Sequence, residues 1–216
     1  MSFLNQLRSQ AGALAREQQQ NAQQIEENTA RCEAASRVVQ HYFDELALQL
    51  TVIGPDAPPF SLDGKTPWPP MRLAAFRADA RKKMLGGVEV QDFIGIGWDV
   101  VPRTGESIGG LVRVDFPPDL QRVESRLALG LVQHERKEER HPQKNTLLAY
   151  RYEYITRTRG NVTVTVDHEH GRMHVRLVNV AGFGVANHAF RAEDVTGSLL
   201  DELAKLIVSQ PNTFPA

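Results

Sequence analysis

Gly105-Glu106-Ser107-Ile108-Gly109 matches G-x-S-x-G, the pattern in which a serine nucleophile sits on a strained turn between a strand and a helix. An extended segment precedes it, but Gly109 to Phe116 alternates, with Val112, Val114 and Phe116 on one side and Arg113 and Asp115 on the other. A second strand therefore follows, and the stretch reads as a hairpin loop rather than a nucleophile elbow. Asp167, His168, Glu169 and His170, with His174 nearby, are metal-ligating types. Zinc needs three or four such groups converging at ~2 Å. A hairpin turning at His170-Gly171 sets Asp167 beside His174 and sends His168 to the opposite face, so no metal is expected.

Gly95-Ile96-Gly97 and Gly182-Phe183-Gly184 are glycine pairs that do not open a helix after a strand, as a dinucleotide fingerprint does. Nothing in the chain calls for a cofactor. Arg72, Arg77, Arg81, Lys82 and Lys83 form a basic cluster. Arg77, Arg81 and Lys83, joined by Arg151, Arg157 and Arg159, are candidates for a positive sheet face that attracts phosphates. A solvated charged surface is the plainer reading of the same residues.

The elements that must position these residues begin with one long helix, 1–53. No proline precedes Pro55 and Gly12 is the lone glycine before Gly54. Steps of three and four from Leu4 reach Leu7, Leu14, Ile25 and Val39, the 3.5-residue period of a coiled-coil seam. Gln18, Asn21 and Asn28 interrupt the seam with amides. From Val38 to Ile53 the apolar face widens, which suits packing on a sheet. The second half is expected to dock on the protein's own sheet and the first half to project or pair with another chain.

Residues 54–70 form a proline-rich linker in which Trp68 pins the chain to the body. Residues 71–216 carry the rest. Met71–Leu85 is open between a helix by composition and a strand by its Gly86-Gly87 hairpin signal. Val88–Val101 alternates with Ile94, Ile96, Trp98 and Val100 on one face. For Arg122–Arg136 a helical reading survives through Leu120, Val123, Leu127 and Leu131, but the Leu-Ala-Leu-Gly-Leu core favours a strand; Glu135–His141 is assigned as a charged loop. Thr146–Thr158 is paired with Val162–Glu169 around a three-residue Arg159–Asn161 turn. The next hairpin is set with Val166 opposite Val175 and Val164 opposite Leu177. A last strand, Val185–Phe190, precedes a helix striped by Leu199, Leu200, Leu203, Leu206 and Ile207. The expected fold is α+β: a long N-terminal helix on a mainly antiparallel sheet of seven or eight strands, with a C-terminal helix.

A formal net charge of -1 gives no bulk attraction to nucleic acid or anionic membrane. The single cysteine, Cys32, excludes an intrachain disulfide and suits a reduced, cytoplasmic setting. No apolar run reaches the ~20 residues of a membrane span. The expected function is a non-catalytic scaffold that self-associates or binds a protein partner through Leu7, Leu14, Ile25 and Val39. Two rivals are anion or nucleic-acid binding on the basic face, and a small-ligand or enzyme site under the helix near Gly95, Gly97, Trp98 and the tyrosines.

Overall fold

A computed structural model describes residues 3–215, without the side chains of Leu4 and Ser9. The expected helix residues before Phe3 and the seam position Leu4 therefore lie outside what it describes. Helix α1 (Phe3–Ile53) is unbroken over 51 residues. It stops where Gly54 takes φ +56° and donates its amide to the Leu50 carbonyl at 2.9 Å, with Pro55 barring continuation. The linker then folds back onto the body. The Trp68 ring stacks on Tyr154 at 5.8 Å and on Phe60 at 5.9 Å, and Phe183 meets it edge-on at 5.2 Å.

Among the described residues, eight antiparallel strands form two sheets. The five-stranded sheet has the order β1-β2-β6-β7-β8, from β1 (Met71–Leu85), β2 (Val88–Pro102), β6 (Thr158–Asp167), β7 (Arg172–Val178) and β8 (Val185–Arg191). The three-stranded sheet has the order β3-β5-β4, from β3 (Gly109–Val114), β4 (His134–Arg140) and β5 (Leu147–Ile155). Helix α2 (Pro117–Leu129) packs Val123 and Leu127 into the core, and α3 (Gly197–Ile207) adds Leu200, Leu203 and Ile207. The architecture is α+β, with the long helix on the sheet and a helix near the C-terminus.

Met71–Leu85 is a strand. A helix there would bury little but alanine, whereas the strand buries Met71, Leu73 and Phe76. Its partner is supplied locally by the two-residue Gly86-Gly87 turn, both glycines having positive φ. A bulge at Ala75–Phe76, with Ala75 at φ +52°, shifts the alternation. Phe76 turns inward onto Trp98 (5.5 Å between rings), and Arg77 turns outward.

Other expectations are corrected. Residues 117–129 are helical, because Pro117 and Pro118 occupy its first turn and Leu120, Val123 and Leu127 fall on one helical face. The Leu-Ala-Leu-Gly-Leu run straddles the helix end, with Leu131 at φ +49°. His134–Arg140 is a strand rather than a loop. It carries charge on both faces because it is a sheet edge, where charge blocks further pairing. The hairpin joining β5 to β6 does not form, since the two strands lie in different sheets. Gly160 sits inside β6, where a Cβ would stand 2.5 Å from the Trp98 ring, so close approach and not a turn explains that glycine. The β6–β7 hairpin has the expected faces but a register shifted by two: Val166 opposes Met173 and Val164 opposes Val175. Its turn is longer, closed by Asp167 accepting the His170 amide at 3.1 Å.

Candidate interaction surfaces

The 3.6-residue repeat of α1 splits into two environments. From Asn28 onward Cys32, Ala35, Val39, Phe43, Ala47 and Leu50 are buried against the sheet core. Asn28 donates to the Glu169 carbonyl at 2.8 Å, and Tyr42 donates to Asp201 of α3 at 2.7 Å. Burial first, then the Asp167 and Glu33 carboxylates, push the Cys32 thiol up to about 11. Upstream, the same face of the helix stands open: Ile25 is 37% exposed, Leu14 59%, Leu7 44% and Phe3 71%. At 1.5 Å per residue, the part from Phe3 to Glu27 reaches roughly 37 Å. Of the expected seam, Leu7, Leu14 and Ile25 are accessible. Val39 is fully buried and belongs to the protein's own core, because it lies on the stretch of the helix that the sheet covers.

The expected basic residues divide as well. Arg77 and Arg81 lie on the outward face of the five-stranded sheet, with Gly95 and Gly97 as neighbours on β2. The Arg81 guanidinium sits 5.2 Å over the Phe93 ring. Lys83 is neutralised by Asp92 at 2.9 Å and Lys82 by Glu89 at 3.0 Å. Arg157 and Arg159 join Arg77 around one carboxylate, Asp99, at 2.6, 3.5 and 3.8 Å. The Asp99 side chain is only 10% exposed. Arg151 lies on the other sheet, paired with Glu153. Asp99 was not among the expected residues. Its one sequence signal is its place in the period-two row with Gly95 and Gly97.

The remaining chemistry does not assemble. Ser107 lies in an exposed loop with strand β3 after it. His168 is buried and bonds the Gln91 carbonyl at 2.7 Å, while His170 and His174 are exposed around Asp167. No group of three metal-ligating side chains converges among the described residues. The space under α1 is filled by Phe43, Phe76, Ile94, Ile96 and Trp98. Gly95 and Gly97 face the other way, and the tyrosines belong to the three-stranded sheet, so the elements proposed to line a pocket there are not together. Among the described residues, no helix is long and apolar enough to cross a membrane. Compared with protein-family models, with curated proteins and with solved structures, the chain matches none of them.

Proposed function

We propose that this protein is a non-catalytic interaction protein that self-associates through the projecting half of α1. The observation that carries this reading is the continuity of one apolar stripe. The face that docks Phe43, Val39 and Cys32 on the sheet runs on through Ile25, Leu14, Leu7 and Phe3, past the last residue the sheet covers. An exposed helix of this length gains little from propensity alone and is stabilised by packing.

A second copy of the same chain suits the stripe better than a wholly apolar partner. Gln18 and Asn21 lie within it, and an apolar surface would bury their amides without partners, at ~1–3 kcal/mol for each group left unsatisfied. In a parallel pair each amide meets its own copy. In an antiparallel pair Leu14 meets Ile25 and Gln18 meets Asn21. Both arrangements match apolar with apolar and amide with amide, the way a coiled coil fixes its register.

Sedimentation velocity over a concentration series tests this. The full-length protein is expected to form dimers or a larger closed assembly, and the Leu14→Glu, Ile25→Glu double variant to be monomeric, with a weaker helical far-UV signal because the projecting half has lost its packing. A wild-type chain that stays monomeric at ~100 μM, a concentration far above the ~μM affinity typical of weak specific association, would end the proposal.

A further inference from the structure

The two outward sheet faces differ in how their charges are balanced. On the three-stranded sheet Arg113 meets Glu139 at 2.9 Å, Arg151 meets Glu153 at 2.9 Å, and Lys137 meets Glu153 at 2.8 Å. On the five-stranded sheet three guanidiniums share Asp99, and Arg81 and Arg176 have no carboxylate within ion-pair distance among the described residues. A chain of formal net charge -1 thus concentrates positive potential on one side. Each guanidinium carries five N–H donors, and one carboxylate cannot occupy those of three arginines. Asp99 accepts a hydrogen bond from Arg157 alone, through Oδ2, and only stands near Arg77 and Arg159, so most of the guanidinium donors are left unused.

The shape of this face suits an extended ligand. Gly97 leaves part of the floor without a side chain, the Asp79 carboxylate and the Phe93 ring lie over Gly95, and Arg77 and Arg176 stand on opposite sides of a depression of about 440 Å³. Asn161 and Thr163 add an amide and a hydroxyl, and Phe93 adds one aromatic ring. From β1 to β7 the face crosses three strand spacings, roughly 14 Å, which is wider than a single small anion needs. The β1 bulge at Ala75–Phe76 is what brings Arg77, Asp79 and Arg81 to this side.

We propose that this trough binds single-stranded nucleic acid through its phosphodiester backbone, with little sequence preference. Arginines along a groove with an aromatic ring are the means by which proteins hold such strands. A shallow sheet face presents no helix or ribbon to enter a duplex groove, so the single strand is the preferred form. The proposal does not depend on self-association through α1, and the Leu14→Glu, Ile25→Glu variant is expected to bind equally well.

Fluorescence anisotropy of a labelled oligothymidine with the full-length protein is the test, run between ~50 and ~200 mM salt. Wild-type affinity is expected to fall with salt at a log–log slope of about -2 to -3, matching three to four phosphate contacts. Arg176→Gln, which breaks no ion pair, should weaken binding about fivefold and flatten the slope by about 0.7. Gly97→Val leaves the charge unchanged and raises the floor. Its first added atom would stand 3.7 Å from the Gly160 carbonyl oxygen, an ordinary contact, so the fold should tolerate it while binding falls at least fivefold, by obstruction of the backbone's approach. Arg113→Gln on the other sheet should change nothing. Any of three results overturns the proposal: no salt-sensitive binding by the wild type, a loss with Arg113→Gln equal to that with Arg176→Gln, or a Gly97→Val variant that binds as well as the wild type. Tighter binding of a duplex of equal length would also overturn it.

Discussion

The two halves of α1 share a backbone geometry and an apolar face, yet among the described residues only one half packs that face on the rest of the chain. Between Asn28 and Leu50 the stripe is wide, built from Val39, Phe43 and Leu50 with small Cys32, Ala35 and Ala47 letting the helix lie close to the strands. Between Phe3 and Glu27 large apolar groups are sparse and amides interrupt them. A sheet offers a broad apolar surface and rewards the first pattern. The second pattern suits a single helix, which needs only a narrow seam. One helix therefore serves two kinds of contact, and the change occurs at Asn28, whose side chain is tied to the Glu169 carbonyl.

Phe43→Ala tests this contrast most severely. The side chain is fully buried, and its removal should cost about 3–5 kcal/mol in a urea titration at low protein concentration. A loss under ~1 kcal/mol would mean that the docked half is less tightly packed than the burial implies. The next effect concerns Cys32. Its thiol titrates at about 11 instead of near 9, so the folded state favours the protonated form. The stability this gives is whole below pH 9 and is lost progressively as pH rises from 9 to 11. Over that interval the wild-type urea midpoint should fall more steeply than that of Cys32→Ala, and parallel curves would break the expectation. The smallest effect belongs to Leu14→Ala. At concentrations too low for association it should shift stability by no more than ~0.5 kcal/mol, as for an exposed site, while a concentrated sample loses its assembly. A large loss in the dilute monomer would show that the projecting half has a partner inside the chain and would erase the distinction.

The outward sheet faces give a parallel contrast in polar terms. Glu135, Glu139 and Glu153 answer the cations of one face, whereas on the other the acids are fewer than the arginines. Both faces read in sequence as charged and alternating. Their difference arises from which strands become neighbours, and that is a matter of long-range pairing.

Local patterns were enough for much of this molecule. The absence of proline and the apolar spacing before Gly54 specify one long helix, and the alternation of Ile94, Ile96 and Trp98 specifies a strand. Gly86-Gly87 marks a hairpin, and the leucines near the C-terminus mark a helix that packs. These depend on backbone preference and on period, which are properties of neighbouring residues. What the residues did not disclose depends on partners distant in the chain. Gly160 reads as a turn until Trp98 is placed across it, and β4 reads as a loop until β5 lies beside it. Helix α2 competes in sequence with a strand, because its Leu-Ala-Leu-Gly-Leu run imitates one while the two prolines that start the helix lie upstream. The β1 bulge decides which side Arg77 faces, and nothing in Arg72–Lys83 alone announces it. Asp99 gathers arginines from β1 and from the start of β6 because tertiary folding sets those strands on either side of β2, and the energy of that arrangement lies in contacts between segments some sixty residues apart.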